Sequence, residues 1–319
     1  MRRSGGWVWL VAAGLLIVAG APAPAMAAAM AEITASRQLE RLTVEVDGHP
    51  VRVWARRGAR PRGAVLFVHG RTWSARPNFD LDTPSGSMSI LKAFADRGFA
   101  AYALDLRGYG ETPRDASGWL GPNRAATDVQ VVLNWIARRE GAKPALVGYS
   151  RGAQVAFLTA QTYPQSLELV VLYGYSLDPE RNFPPQPAVP TILRTPNTLA
   201  AAASDFIVPG ATRPEVVAAY AKAAVAADPV RTDWGHEDEF NVLDPKMVTV
   251  PLMLLQGVAD PLVKPAGAAR VFAGLGHDSR AWVMLPGSDH AAHLEERTHK
   301  AWIGAIVDFI ESNRSMAVQ

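Results

Sequence analysis

The chain has 319 residues, 49% of them hydrophobic and 19% charged, enough apolar material to bury about three quarters of its unfolded surface, which excludes disorder and collagen-like structure. Thirty-two basic residues against thirty acidic ones leave a formal charge of +2, with no run of like charge long enough to track a phosphate backbone, so nucleic acid is a poor partner. Cysteine is absent, which removes disulfides, thiolate metal sites, a cysteine nucleophile and a lipid-modified N-terminal Cys; any chemistry must use oxygen or nitrogen groups.

The N-terminus reads as a secretory signal peptide: Arg2-Arg3, an uncharged apolar stretch from Trp7 to Gly20, then alanine, proline and a second small-residue run. Cleavage is expected near Ala27-Ala28, giving a secreted or periplasmic protein. The apolar stretch is shorter than the roughly 20 residues a membrane span needs, so no stable membrane anchor is expected after cleavage. The arginine pair lacks a strong hydrophobic pair behind it, which favours the general export route over the twin-arginine one. Removing residues 1–27 takes away two arginines and no acid, leaving a neutral mature chain.

Eight β-branched or aliphatic runs are expected as strands: Leu42–Val46, Val51–Ala55, Ala64–Val68, Phe99–Leu104, Ala145–Val147, Leu169–Tyr173, Pro251–Gln256 and Ala281–Leu285. Several are continuous apolar runs rather than alternating ones, as parallel strands covered on both faces require. Val129, Val132, Leu133 and Ile136 mark a helix that Asn123 is placed to cap, and Ile303, Ile306, Val307 and Ile310 repeat the spacing. The alternation predicts an α/β sandwich with a mostly parallel sheet. It breaks between residues 177 and 249, a proline-rich stretch followed by an alanine-rich helical pattern from Pro214 to Ala227, too long for an ordinary loop and expected to form an inserted helical cap. The core then comprises 38–176 and 250–315.

Gly148-Tyr149-Ser150-Arg151-Gly152 follows a strand and opens a helix, an arrangement that projects a serine hydroxyl from a sharp turn whose flanking glycines avoid backbone clashes. Serine needs a base. Of seven histidines, His290 follows the last expected strand, while His293 competes from the first turn of the next helix. The base needs an orienting acid, and Asp260 lies at the end of the preceding strand; Asp289 and Asp244 are the other candidates, but neither sits at a strand end. Oxyanion donors are expected from the backbone N–H groups of Arg151 and of Arg71, the latter in the turn His69-Gly70-Arg71. His69 has no second ligand at metal-binding spacing, so it is expected to brace this turn by hydrogen bonding.

These segments, together with Asp105-Leu106-Arg107-Gly108-Tyr109-Gly110 and Gly257-Val258-Ala259-Asp260, resemble the α/β-hydrolase superfamily, in particular its serine esterase, lipase and proline-iminopeptidase-like branch, over residues 40–312 apart from the cap. The resemblance implies an eight-stranded mostly parallel sheet flanked by helices, with Ser150 as nucleophile, His290 as base then acid and Asp260 as orienting acid. It also implies Arg71 and Arg151 as oxyanion donors, and no cofactor and no metal. Two departures bear on the substrate: Arg151 stands where many relatives carry a smaller residue, and Ser288-Asp289 precedes the histidine. The implied reaction is hydrolysis of a small carboxylic ester through an acyl-enzyme. Amide cleavage of the proline-iminopeptidase kind and lactone opening use the same triad, and a secreted non-catalytic binding protein is the reading from another class.

Arg71, Arg76 and Arg151 are expected near the mouth, either to bind an anionic part of the substrate or to pair with Asp80, Asp82 or a cap carboxylate. Trp73, Trp119, Tyr149 and Tyr175 either line an acyl pocket or pack. His236-Glu237-Asp238-Glu239 fans out along its backbone and is expected to form a solvated cap face.

Overall fold

The sheet begins with a hairpin, β1 (Glu40–Val46) and β2 (His49–Arg56), turned at Asp47-Gly48, where both residues have positive φ, 51° and 73°, as a tight two-residue turn between twisted strands demands. The computed structural model describes residues 38–317; the expected signal peptide, residues 1–27, lies outside them.

Six further strands complete the sheet: β3 (Ala64–Val68), β4 (Ala100–Leu104), β5 (Ala145–Tyr149), β6 (Val170–Tyr173), β7 (Leu252–Gly257) and β8 (Arg280–Leu285). The spatial order is β1-β2-β4-β3-β5-β6-β7-β8, and every pairing beyond β2–β4 is parallel. Each expected run overlaps one strand, so the fold is the anticipated α/β one. Strands β3 to β7 are buried on both faces: Leu66 and Val68 enter one apolar cluster with helix α3 (Pro122–Glu140) and α4 (Arg151–Thr162), while Val65 and Phe67 enter a second with α2 (Ile90–Ala95) and α8 (Glu296–Ala317). A polar two-residue hairpin, Asp82–Thr83 with Gly86–Ser87, lacks the apolar pattern that announces the larger strands.

Helix α3 corrects one expectation. Asn123 is not its cap: the helix opens at Gly121, with Pro122 in the first turn, where its missing N–H costs nothing, and the Asn123 amide donates to Glu239 of the cap at 2.8 Å. The anticipated face is correct, with Val129, Val132, Leu133 and Ile136 fully buried.

Between β6 and β7 the chain runs as irregular segments around α5 (Leu199–Ala203), α6 (Pro214–Ala227) and short 3-10 turns at Glu237–Val242 and Pro245–Met247. Helix α6 packs on α1 (Ala75–Phe79), and Val216, Tyr220 and Ala224 bury with Trp73 and Leu294 as a small third core. Asp228, at the end of α6, ties this segment to the sheet by accepting the amides of Ser74 and Gly110, each at 2.8 Å. Helix α7 (Pro265–Gly274) completes the chain order between β7 and β8.

Candidate active site

Strand β5 runs straight into α4, and the junction is forced by steric limits. A Cβ at Gly148 would stand 2.2 Å from the Gly152 carbonyl oxygen, and one at Gly152 would stand 2.3 Å from the Val68 oxygen and 2.4 Å from that of His69. Only glycine fits at either place. Ser150, between them, is held at φ 55° and ψ −115°, with its amide donating to the Tyr173 carbonyl at 2.8 Å. A non-glycine residue in that region costs about 1–3 kcal/mol, and such strain persists where the surroundings impose it. The half-buried Ser150 side chain therefore projects from the strand end. Arg151, the first residue of α4, has no partner for its amide within the helix, and the positive end of the helix dipole faces the same side.

The loop after β8 brings His290 to this point. Its Nδ1 lies 2.7 Å from Oδ2 of Asp260, whose Oδ1 accepts the Leu262 amide at 2.9 Å. Both are buried, the histidine 5% exposed and the aspartate 6%. With Nδ1–H donating to the carboxylate, Nε2 is left as the proton acceptor. The imidazole packs on the Tyr149 ring, 5.1 Å between centroids, and stands so close to Gly174 that a Cβ there would meet Cε1 at 2.8 Å. Because Tyr149 pairs with Tyr173 across β5 and β6, Ser150 and Gly174 end adjacent strands, and the imidazole covers that rim. Asp289 does not orient the histidine: its carboxylate accepts the amides of Ala291 at 2.6 Å and Val208 at 3.1 Å, tying the loop to the cap, while its own amide donates to Glu295. Asp244 caps the turn at Pro245 by accepting the Lys246 amide. His293 is a core residue, fully buried among Tyr149, Tyr173 and Trp302, and burial lowers its pKa to about 3, so it stays neutral.

On the far side of Ser150, His69 fixes the neighbouring turn. Its Nε2 accepts the Leu106 amide at 3.1 Å, which leaves the proton on Nδ1, and Nδ1 donates to the Gly70 carbonyl at 2.8 Å. Gly70 C=O and Arg71 N–H belong to one trans peptide unit and point oppositely, so holding the carbonyl aims the N–H. Burial lowers the His69 pKa to about 4, which keeps it in this neutral form near pH 7. The Tyr109 ring packs on His69 at 4.5 Å, and its hydroxyl donates to the Arg71 carbonyl while accepting the Trp234 indole N–H at 2.7 Å. Asp105 braces the loop behind it, accepting from Trp54 Nε1 at 3.0 Å, Ala75 N at 2.9 Å and Glu111 N at 3.1 Å, and burial raises its carboxyl to about 6.

The arginines and aromatics take the paired and packed alternatives that the sequence left open, except that Arg76 lies away from the mouth. Arg71 and Arg151 both reach a cap carboxylate, Glu237, whose Oε1 accepts Arg71 Nη1 at 2.7 Å and also Arg151 Nη2. Arg76 lies instead over the Trp54 ring, 5.0 Å away, lining a separate 560 Å³ cavity with Asp80, Asp82 and Asp105, because α1 turns it away from the strand end. Tyr175 packs on Phe157 at 5.5 Å beside Leu177, outside the Ser150 rim. Trp73 is buried in the cap core, and Tyr149 is sandwiched between Tyr173 and the two histidines, so both support the site as packing. The 236–239 run is not a free solvated face: Glu237 holds the two arginines, Asp238 accepts the Gln186 amide at 3.3 Å and Glu239 that of Asn123. The residues do fan out, but each finds a partner.

Asp205, which follows α5, is a residue that sequence reasoning misses. It accepts the Tyr220 hydroxyl at 3.2 Å, and burial raises its carboxyl to about 6, an effect partly offset by Tyr220, the nearby His290 and the Trp73 indole. A lone acid in an alanine-rich segment carries no sequence signal of burial against the Tyr220 hydroxyl. Among the described residues, no group of three or more His, Cys, Asp or Glu side chains gathers as if to hold a metal ion.

Comparison with known proteins places this architecture. Among curated proteins, none matches the sequence. Among solved structures, a serine hydrolase involved in carbazole degradation (CarC) is 16% identical with a TM-score of 0.63, covering 86% of this chain and 99% of its own. A monoacylglycerol lipase of Paleococcus ferrophilus is 21% identical with a TM-score of 0.55, covering 86% and 99%. A hydrolase from Pseudomonas aeruginosa PA01 is 17% identical with a TM-score of 0.61, again covering 86% and 99%. At these identities the likeness is one of fold. The family model described as serine aminopeptidase, S33, matches residues 59–297, most of the chain, and with the α/β-hydrolase fold around Ser150 this protein belongs to that hydrolase family.

Proposed function

We propose that this hydrolase cleaves small carboxylic esters by acyl transfer, with Ser150, His290 and Asp260 as its catalytic triad. Ser150 Oγ attacks the ester carbonyl as its proton passes to His290 Nε2, and the imidazolium is held by Asp260. The backbone N–H groups of Arg71 and Arg151 stabilise the oxyanion. The tetrahedral intermediate collapses, the protonated imidazole returns its proton to the departing alcohol, and an acyl-serine remains. His290 then takes a proton from water, which attacks the acyl carbonyl, and the acid is released with Ser150 restored. The observation that carries this reading is the buried 2.7 Å pair of His290 Nδ1 and Asp260 Oδ2 beside a serine held at positive φ.

A fluorophosphonate reacted with the folded protein is expected to add covalent mass to Ser150, and His290→Ala is expected to abolish it. Hydrolysis of p-nitrophenyl esters of increasing chain length should depend on the same two residues. No labelling and no ester turnover by folded protein would leave the non-catalytic binding reading standing.

Asp205 favours a second reading. A cap carboxylate near His290 suits a substrate carrying a free amine, in keeping with the aminopeptidase description of the family. Turnover of prolyl p-nitroanilide, lost when its amine is blocked, would move the assignment from esters to amides; a lactone series tests ring opening on the same triad. Export is also proposed: the N-terminus of the mature protein, sequenced after secretion, should begin near Ala28.

A further inference from the structure

We propose that Glu237 is a positioning residue, a cap carboxylate that sets the two oxyanion donors relative to one another by gripping the side chains of the residues that supply them. The proposal rests on the acyl-transfer reading, which assigns those donors to the amides of Arg71 and Arg151. The two come from different elements, one from the turn after β3 and the other from the first turn of α4. An oxyanion hole works only when both donors meet one oxygen at hydrogen-bond distance, so the spacing between those elements is what a shared acceptor controls.

Glu237 supplies that acceptor with a single oxygen. Oε1 receives Arg71 Nη1 at 2.7 Å and Arg151 Nη2 as well. Arg151 has little freedom to swing: its side chain is 7% exposed, Nη1 donates to Gln154 Oε1 at 2.7 Å, and the guanidinium lies 5.3 Å from the ring centres of both Trp234 and Phe240. Arg71 is 40% exposed and has no such cage, so its tie to Glu237 is what joins its side chain to the rigid one. The same cap segment holds the Arg71 backbone too, because Trp234 donates to Tyr109, which donates to the Arg71 carbonyl. His236 presents the carboxylate from a left-handed conformation, φ 52°, with its ring 4.7 Å from that of Trp119. Sequence positions 234–237 thereby hold one oxyanion residue by side chain and carbonyl, and the other by side chain.

The test uses the full mature protein and the p-nitrophenyl ester that the wild type turns over fastest. A trifluoromethyl ketone of the same chain length serves as the tetrahedral probe. Glu237→Ala should lower kcat about tenfold while KM stays within twofold, and should weaken the ketone by the same factor. Glu237→Gln, which keeps an acceptor oxygen in place, should recover part of both. Because Glu237→Ala also leaves a buried guanidinium without its counter-charge and could unfold the protein, the double variant Arg151→Met/Glu237→Ala removes both charges. It is expected to regain the wild-type melting temperature yet keep the kcat and ketone defects, since Arg71 remains untethered. Unchanged kcat and ketone affinity in the single variants would overturn the proposal, as would activity that returns in step with melting temperature in the double variant. If the wild type shows no Ser150-dependent turnover at all, the acyl-transfer reading falls first, which Ser150→Ala run alongside distinguishes from failure of the Glu237 role alone.

Discussion

The strand-end rim and the cap meet at Arg71 and Arg151 and are held by different forces. Ser150 is placed by backbone: a parallel sheet, two glycines that admit close approach, and an amide bonded to the Tyr173 carbonyl. The cap is placed by side chains reaching from irregular chain to the loops of the sheet: Glu237 to Arg71 and Arg151, Asp228 to the amides of Ser74 and Gly110, and Glu239 to that of Asn123. A backbone lattice tolerates almost no change of shape, whereas side-chain ties can be exchanged one at a time. The rim is therefore expected to carry the chemistry, and the cap to tune rate and substrate choice.

The sharpest way to break that contrast is at the rim itself. Ser150→Ala and His290→Ala should each lower kcat/KM by about 10³-fold or more, roughly 4 kcal/mol of transition-state stabilisation, with circular dichroism unchanged. Residual activity within tenfold of wild type would move the chemistry elsewhere. Gly152→Ala drives a Cβ against two carbonyl oxygens that cannot move independently, and urea unfolding should show a loss of about 4 kcal/mol. A loss below 1 kcal/mol would mean the backbone there yields, and the claim of rigidity would fail.

Asp128→Ala probes the lattice just behind the rim. It removes the bidentate partner of Arg107, held at 2.7 and 2.9 Å with both side chains buried, and leaves the guanidinium only Asp115 at 3.7 Å and the Val46 carbonyl at 3.3 Å. The expected cost is about 3 kcal/mol by the same measurement, and replacing Arg107 as well, by Met, should recover most of it.

The smallest effect belongs to the cap and depends on pH. Burial raises the Asp205 carboxyl to about 6, so the folded state holds this proton more tightly than the unfolded chain. Stability from this group is then present at low pH and is lost as pH rises from about 4 through 6. Asp205→Asn should match the wild-type unfolding free energy near pH 4 and exceed it above pH 7 by about 1–2 kcal/mol, discounted for the partial exposure of this residue. A difference independent of pH would show that Asp205 is solvated, and would remove the support it gives to an amine-bearing substrate.

Reading along the chain alone recovers the strands, the helix faces, the elbow at Ser150 and the pairing of His290 with Asp260, because each is announced by a local pattern. A buried parallel strand must be apolar throughout, and a sharp strand-to-helix turn must have glycines beside its serine. Where it goes astray, the deciding contact lies far off in sequence. Arg76 looks like a mouth residue from its nearness to Arg71, but α1 carries it over Trp54; Tyr175 follows β6 directly, yet packs on Phe157. The carboxylate run at 237–239 looks solvated because its partners stand 52 to 166 positions away.

Backbone geometry is written into short windows of residue types, since steric limits and apolar periodicity act over a few residues. Ion pairs and ring contacts depend on which surfaces the folded chain brings face to face, and their energies fall off within a few ångströms regardless of separation along the chain. The residue types alone therefore settled the α/β class and the rim bearing the serine. Only the tertiary structure decided that one cap glutamate holds both arginines beside it, and that an aspartate from an alanine-rich stretch is buried against the Tyr220 hydroxyl.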